Sequence, residues 1–279
     1  MFHRALVPLA AVALVGLAHP AAAAEDKALK TAVAGTWRAP DSVARDKARH
    51  PYESLVFWGV KPKETVIELV PGNGYWTEIL APYAKATGGR YLAAVVDVDN
   101  PKVSEAGRKA RAAFEAKYAD KATYGDIGYV NFGAVSKALG PANSADVVLT
   151  ARNIHNWMWT PPMLDKAMAD SFAVLKHGGV LAVEEHRADP RPQNGDARDG
   201  YVATATVVAA AEKAGFKLDA KSEINANPKD TKDYPFGVWT LPPSRQSAPD
   251  GKPSDPAFDH AKYDAIGESD RMTLRFRKP

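Results

Sequence analysis

A glycine-rich segment in the first third of the chain combines a carboxylate with a flexible turn. It reads Glu68-Leu69-Val70-Pro71-Gly72-Asn73-Gly74 and follows a short β-branched run that is typical of a strand. Glycines in such a turn let a ligand approach the backbone, and the carboxylate of Glu68 can accept hydrogen bonds from an ammonium or hydroxyl group. The same carboxylate repels a phosphate. The segment indicates either a binding site for a cationic or hydroxylated ligand or an ordinary tight turn.

Polar and aromatic side chains also follow the apolar run Asp146–Thr150, which is typical of a buried strand. An imidazole at this edge titrates near neutral pH and can take a proton from a substrate, and indole rings can form the wall of an apolar pocket. The alternative is that the imidazole and an amide cap the next helix while the indoles belong to the core. The side chains concerned are Asn153, His155, Asn156, Trp157 and Trp159.

Carboxylates stand at the ends of two further predicted strands. Asp97 and Asp99 follow the second strand, where dinucleotide-binding folds hold a ribose diol. Glu184 and His186 end a later strand, and strand alternation places both on one face, where they can contact a substrate. Together with His155 they also suggest a divalent metal, but no two histidines lie within five residues of each other. We therefore predict no metal site.

The segments around these side chains alternate between short apolar runs and helical patterns, which is typical of a parallel sheet covered by helices on both faces. Two late segments alternate apolar and polar residues, as half-exposed antiparallel strands do. The predicted strands cover residues 65–70, 91–96, 127–132, 146–150, 180–184, 216–221 and 272–277. The predicted helices lie around residues 76–83, 103–114, 160–176 and 199–214.

This pattern predicts one α/β domain over residues 61–279, with a helical extension over residues 25–60 before it and a proline-rich insertion around residues 242–269 within it. The extension carries two arginines, an aspartate and a histidine between residues 45 and 50. These charges indicate either a lid that folds over a ligand or a solvated helix face.

The composition excludes several classes of chemistry. The 279 residues include no cysteine, so the chain has no disulfide, thiolate-bound zinc, iron–sulfur cluster or cysteine nucleophile. The net charge of +3 is small, and basic residues are interleaved with acidic ones, which argues against a nucleic-acid partner. A small molecule is the expected partner, while the oligomeric state has no signature in the sequence.

The first 24 residues have the layout of a secretory signal peptide. Arg4 precedes an apolar run from Ala5 to Ala18, and small residues from Ala21 to Ala24 allow cleavage before Glu25. The run is shorter than the roughly 20 apolar residues of a membrane-spanning helix. We therefore expect an exported, periplasmic protein that does not associate with the membrane after cleavage.

Several of these segments together resemble class I S-adenosylmethionine-dependent methyltransferases. The relevant features are Glu-x-x-x-Gly-x-Gly after the first strand, an acid after the second, and Gly178-Gly179 leading into the fifth. More narrowly, residues 68–83, 152–157 and 270–279 resemble a family of exported, predicted methyltransferases, and the likeness extends over residues 40–279. The class usually has glycine where Val70 stands.

The resemblance implies a Rossmann-like α/β fold with a seven-stranded, mostly parallel sheet and an antiparallel last strand. It also implies methyl transfer from S-adenosylmethionine to a small-molecule acceptor, for which the residue types make His155 the candidate base. The alternative is an exported, non-catalytic binding protein that uses the same pocket for another small ligand. The residues that would contact the cofactor's methionine, ribose and adenine are Glu68, Pro71, Gly72, Asn73, Gly74, Tyr75, Asp97 or Asp99, Asn131, Phe132, Gly133 and Asn153. The acceptor would contact Asn156, Trp157, Trp159, Glu184 and His186.

Overall fold

A seven-stranded sheet forms the centre of the protein, as seen in a computed structural model that describes residues 25–279. The strands are β1 (Thr65–Leu69), β2 (Arg90–Val96), β3 (Gly128–Phe132), β4 (Ala145–Ala151), β5 (Leu175–His186), β6 (Lys217–Ser222) and β7 (Arg271–Arg277). Their order is β3-β2-β1-β4-β5-β7-β6. The pairs from β3 to β5 are parallel, and β7 is antiparallel to both of its neighbours. The predicted sheet and its antiparallel last strand are therefore confirmed.

Helices cover both faces of the sheet. The helices that precede β1 in the chain are α1 (Lys27–Val33), α2 (Pro40–Val43), α3 (Asp46–Arg49) and α4 (Pro51–Trp58). Those between the strands are α5 (Thr77–Thr87), α6 (Glu105–Lys117), α7 (Lys121–Tyr124), α8 (Ile154–Met158), α9 (Met163–Val174), α10 (Thr204–Lys213), a 3-10 helix (Gly237–Thr240) and α11 (His260–Asp264). Within residues 25–279, none of these helices has both the length and the apolar character of a membrane span. The predicted signal peptide lies outside the described residues.

Two apolar layers follow from the alternation of side chains along the central strands. In β1, Ile67 and Leu69 belong to one layer, and Val66 belongs to the other. The second layer also holds the helices at the beginning of the chain, because Trp58 is fully buried there. The indole nitrogen of Trp58 donates a hydrogen bond of 3.1 Å to the carbonyl oxygen of Leu274 in β7. This contact fixes α4 against the sheet.

Three element boundaries differ from the predictions. Strand β5 begins five residues earlier than predicted because Leu175 pairs with Ala145 across a register shift, so the two glycines lie inside the strand. Helix α9 begins at Met163 rather than at Thr160, because the unpredicted helix α8 occupies the preceding segment. Helix α10 begins at Thr204 rather than near residue 199. The residues before it are extended and form an isolated bridge to the end of β5.

Candidate active site

A cavity of about 310 Å³ lies at the carboxyl ends of β1, β4 and β5. Ligands of open parallel sheets bind at this edge, and the volume is at the lower end of the range for small-molecule pockets. Three groups of residues surround it, namely the turn after β1, the start of α8 and the end of β5. Residues from α3, from the segment around Trp239 and from the loop before β7 complete the wall.

The turn after β1 has an unusual backbone. Val70 has a φ of 48°, and its side chain is 40% exposed where it lines the cavity. A β-branched residue with positive φ has a strained backbone, and strain of this kind is typical of functional sites. Gly72 has a φ of 59° and nothing within 4 Å of the position of a Cβ atom, so its backbone is open to the cavity. At Gly74 a Cβ would overlap the hydroxyl of Tyr118, so this glycine is required for packing.

Asn153 holds this turn in place. Its side-chain amide donates a hydrogen bond of 3.0 Å to the carbonyl oxygen of Leu69, at the end of β1. The same nitrogen lies 3.2 Å from the hydroxyl of Thr150 in β4. Asn153, which was predicted to bind the cofactor, therefore ties together the ends of two neighbouring strands beside the cavity.

The expected position of Glu68 is corrected by the structure. Strand alternation points its side chain away from the cavity and under α5, where it is 98% buried (2% exposed). Its Oε2 atom accepts hydrogen bonds from the hydroxyls of Tyr91, at 2.5 Å, and Thr77, at 3.1 Å. Burial raises the pKa of Glu68 to about 7, although the two hydroxyls oppose this shift. Glu68 therefore stabilises the layer beneath α5 and does not contact a ligand in the cavity.

A buried carboxylate orients His155. The Nδ1 atom of His155 lies 2.9 Å from Oε1 of Glu185, and the ring lines the cavity. The two oxygens of Glu185 also accept hydrogen bonds from the backbone N–H groups of Ile154, at 2.6 Å, and His186, at 2.8 Å. A carboxylate acceptor assigns the proton to Nδ1, which leaves Nε2 as the basic nitrogen of His155. This is the arrangement of an oriented general base.

The ring of His186 lies beside that of His155, with 5.3 Å between the centroids. Its Nδ1 atom lies 2.5 Å from the hydroxyl oxygen of Ser269. Burial, followed by the nearby imidazole of His155, holds the pKa of His186 well below its usual value, so the ring stays neutral near pH 7.

Ligand atoms of His155, Glu185 and His186 lie within 4.8 Å of one another, which is close enough for a shared metal ion. The oxygens of Glu185 are already occupied by N–H donors from three residues. Only two imidazoles then remain as ligands, whereas protein zinc sites use at least three side chains. Orientation of His155 is the role that this carboxylate performs.

The sequence-based choice between the two glutamates of β5 is wrong. Glu184, predicted to contact a substrate, is fully buried and does not line the cavity, and Arg271 lies 3.1 Å from its Oε1 atom. Burial raises the pKa of Glu184, while the charge of Arg271 opposes this. Glu185, which the sequence analysis did not select, faces His155 instead. The run Glu-Glu-His contained the signal, but it did not show which glutamate meets the imidazole of His155.

The predicted site residues divide into two groups. Those that line the cavity are Pro71, Gly72, Asn73, Tyr75, Asn153, His155, Asn156 and His186. Those that do not are Glu68, Gly74, Asp97, Asp99, Phe132, Gly133, Trp157, Trp159 and Glu184. The residues that sequence analysis missed include Glu185, Trp239 and Glu268. Their positions depend on contacts across the fold, so no local pattern marks them.

The two tryptophans predicted to contact the acceptor lie outside the cavity. Trp157 is 6% exposed and packs edge-on against Phe132, with 5.9 Å between the rings. Trp159 is half-buried and lines an adjoining cavity of about 680 Å³, which shares Asn156 and Trp239 with the first. The rings of Trp159 and Trp239 lie 5.8 Å apart, so they form the boundary between the two cavities.

The acidic residues after β2 lie at the same edge of the sheet but outside the cavity. Asp97 is buried, and its Oδ1 atom accepts a hydrogen bond of 3.1 Å from the backbone N–H of the exposed Asp99. The position of a Cβ on Gly133 lies 3.5 Å from Asp97, so the ends of β2 and β3 adjoin. Asn131 is held by the guanidinium of Arg111, at 3.0 Å. These residues form a neighbouring group that the cavity does not reach.

The fold is similar to that of solved structures. A SAM-dependent methyltransferase from Aquifex aeolicus matches with a TM-score of 0.50 and 18% identity, over 65% of this chain and 87% of that one. The [4+2]-cyclase SpnF matches with a TM-score of 0.53 and 14% identity, over 90% of this chain and 91% of that one. The chain has the class I methyltransferase fold. This fold carries more than one kind of chemistry, since one of the two matches is named a cyclase.

No protein-family model matches the chain, and no curated protein is significantly similar to it. The sequence identities to the solved structures are below 20%, so they establish the fold and leave the reaction to be argued from the site.

Proposed function

We propose that the protein transfers a methyl group from S-adenosylmethionine to a small-molecule acceptor in the cavity beside His155. The proposal depends on one observation. In a methyltransferase fold, an imidazole oriented by the buried carboxylate of Glu185 lines a cavity at the strand ends where this fold binds its ligands. S-adenosylmethionine, when bound, supplies an electrophilic methyl group on a sulfonium.

The residues present fit this cofactor in part of the site. The open backbone at Gly72 allows close approach, and the guanidinium nitrogens Nη1 and Nη2 of Arg49 are buried without hydrogen-bond partners, which suits an amino-acid carboxylate. Asp97 at the end of β2 suits a ribose hydroxyl. Glu68 is occupied by Tyr91 and Thr77, so the cofactor's ammonium must be met by backbone carbonyls or by another acceptor.

The residues of the cavity can position the acceptor and remove its proton. With Nδ1 donating to Glu185, the Nε2 atom of His155 can accept a proton from an acceptor hydroxyl or ammonium group. The negative charge of Glu185 then stabilises the imidazolium that forms. His186 stays neutral beside it, so it does not repel the developing positive charge. Trp239 lines the cavity with 5.9 Å between its ring and that of His155, so it can pack against an acceptor held there.

Binding of the cofactor is the first test. Calorimetry of the mature protein with S-adenosylmethionine and S-adenosylhomocysteine should show saturable binding of both. The absence of heat at millimolar ligand, with a protein that is folded by circular dichroism, would reject the proposal. Binding without transfer in the experiment below would instead identify a non-catalytic binding protein.

Transfer is tested with methyl-labelled S-adenosylmethionine and the dialysable small-molecule fraction of a bacterial extract. The wild type should move label into a new small molecule, and His155→Asn should do so at least 100-fold more slowly, because a general base contributes about 10²–10⁴ to the rate. His260→Asn is the matched control, since His260 lies in α11 and does not line the cavity. Equal rates for His155→Asn and the wild type would remove His155 from the mechanism.

We also propose that the protein is exported to the periplasm and that the mature chain begins at Glu25. Cleavage there leaves the first helix intact, because Asp26 caps α1 through a hydrogen bond of 3.0 Å from the N–H of Leu29. Asp26 also accepts a hydrogen bond of 2.5 Å from the hydroxyl of Tyr83 in α5. Cell fractionation and amino-terminal sequencing should find Glu25 first in the periplasmic fraction, and retention of Met1 in the cytoplasm would contradict this.

A further inference from the structure

Arg49 is a buried cation with two of its three guanidinium nitrogens unused. Its side chain is fully buried at the end of α3, yet it lines the cavity. Its Nε atom lies 3.1 Å from Oε2 of Glu268, while Nη1 and Nη2 have no partner among the described residues. A buried charged donor without a partner is energetically unfavourable, so such donors normally have one. The free edge of this guanidinium therefore points to a ligand.

The guanidinium is held rigidly. It stacks on the ring of Tyr75, with 4.4 Å between its carbon and the ring centroid. The hydroxyl of Tyr75 donates a hydrogen bond of 2.7 Å to Asp46, which is also bound by both terminal nitrogens of Arg38. Because Tyr75 directly follows the glycine-rich turn, this chain of contacts fixes Arg49 relative to the turn. A fixed guanidinium loses little entropy when it binds an anion.

The charges around the cavity favour an anion of low charge. Arg45 and Arg152 also line the wall, and the Nε atom of Arg152 is buried without a partner. Glu268 is the one acidic residue among the described residues of the wall, and it is paired with Arg45, Arg49 and Arg271. The wall therefore has an excess of positive charge, which attracts anions, while the adjacent carboxylate of Glu268 disfavours a dianion.

We propose that Arg49 forms a carboxylate-binding subsite of the cavity. The two free nitrogens lie at one edge of a planar group, which matches the two oxygens of a carboxylate in a bidentate pair. The ligand carboxylate has two possible sources. Given the function proposed above, it belongs either to the amino-acid part of S-adenosylmethionine or to an acidic acceptor, and the subsite itself does not depend on that choice.

The first arm of the test compares two adenosyl probes by calorimetry. S-adenosylhomocysteine carries the amino-acid carboxylate, and 5′-methylthioadenosine lacks it. If the carboxylate is that of the cofactor, Arg49→Gln should bind S-adenosylhomocysteine at least tenfold more weakly than the wild type, because it loses a charge-assisted bidentate pair. It should bind 5′-methylthioadenosine equally well. Lys109→Gln, which also removes one positive charge at a 77% exposed side chain, should change neither affinity.

The second arm needs no adenosyl compound, and its titrations are made on the wild type. The side-chain Nε–H resonance of Arg49 is assigned by its loss in Arg49→Lys, and acetate is then titrated against it with acetamide as the neutral control. Acetate should shift this resonance saturably, and acetamide should not. A larger shift with inorganic phosphate than with acetate would overturn the assignment to a carboxylate.

The two arms together distinguish the outcomes. A shift with acetate and weaker binding of S-adenosylhomocysteine by Arg49→Gln assign the carboxylate to the cofactor. A shift with acetate and equal binding of S-adenosylhomocysteine assign it to the acceptor. A shift with acetate and no binding of S-adenosylhomocysteine by the wild type support the subsite and reject the proposed function. No response of Arg49 in either arm overturns the subsite.

Discussion

His155 and Glu185 are 30 residues apart in the chain, and a hydrogen bond of 2.9 Å joins Nδ1 of the imidazole to Oε1 of the carboxylate. The contact links the first turn of α8 to the end of β5, so it connects two neighbouring parallel strands at the edge where the cavity lies. The same carboxylate receives the backbone N–H groups of Ile154 and His186. Glu185 therefore both orients the imidazole and closes the backbone around it.

Replacement of Glu185 by glutamine should destabilise the protein. One carboxylate oxygen becomes an NH₂ group that faces backbone or imidazole N–H donors, so at least one buried donor loses its partner, at a cost of about 1–3 kcal/mol. Urea unfolding at pH 7 should show this decrease in the free energy of unfolding. Glu212→Gln, at an exposed position of α10, should change it by less than about 0.5 kcal/mol. Identical midpoints for Glu185→Gln and the wild type would contradict the role of Glu185.

The stability should depend on pH through Glu68. Burial raises its pKa from 4.5 to about 7, so between these values the native state binds more protons than the unfolded state. Stability contributed by protonated Glu68 is present below pH 4.5 and is lost as the pH rises to about 7, by about 3 kcal/mol in total. In urea unfolding, Glu68→Gln should be more stable relative to the wild type at pH 8 than at pH 5. The exposed Asp126→Asn serves as the control.

An equal stability difference between Glu68→Gln and the wild type at pH 5 and pH 8 would show that Glu68 ionises as readily in the folded protein as in the unfolded chain. That result would contradict the buried environment beneath α5.

The two glycines of the turn after β1 should respond differently to alanine. At Gly74 a methyl group would lie 1.8 Å from the hydroxyl oxygen of Tyr118, so Gly74→Ala should lower the free energy of unfolding by at least about 2 kcal/mol. At Gly72 the position is open, and Gly72→Ala should cost only about 1 kcal/mol, because of its φ of 59°.

The order of the two variants should be reversed for ligand binding, with Gly72→Ala the more damaging change. Gly72→Ala places a methyl group on the cavity wall and should weaken the binding of S-adenosylhomocysteine, measured by calorimetry on protein that is fully folded. Folded Gly74→Ala should bind S-adenosylhomocysteine with an affinity closer to that of the wild type, since Gly74 does not line the cavity. Equal losses of stability at both positions would contradict the distinction between a packing glycine and an open one.

Val70→Gly should increase the affinity for S-adenosylhomocysteine several-fold. The valine side chain lines the cavity with a φ of 48°, and its removal both opens the wall and relieves a backbone strain of about 1–2 kcal/mol. The greater flexibility of glycine in the unfolded chain offsets about 0.5–1 kcal/mol of that relief, so the stability should change little. Val70→Ile, which narrows the cavity further, should weaken binding, and a tighter complex with isoleucine would contradict this account.

Much of the architecture followed from local patterns. Short apolar runs and turn residues located the strands, and the alternation of apolar and polar residues near residues 217–222 and 271–277 identified the antiparallel pair at the edge of the sheet. The glycine-rich segment 70–74 marked the turn that lines the cavity. These features depend on the conformational preferences of a few consecutive residues, which the sequence specifies directly.

Long-range contacts decided the rest. Alternation along a strand shows that Glu184 and Glu185 face opposite ways, but only the packing of α8 brings the imidazole of His155 to one of them. The same packing buried Glu68 beneath α5. It also brought Arg49 into the cavity wall, although the sequence favoured a solvated helix face over a lid for its segment. The sequence by itself determined the fold and the strand ends that form the site. Only the tertiary structure determined which charged side chains at those ends are free to contact a ligand, because burial and pairing depend on residues far apart in the chain.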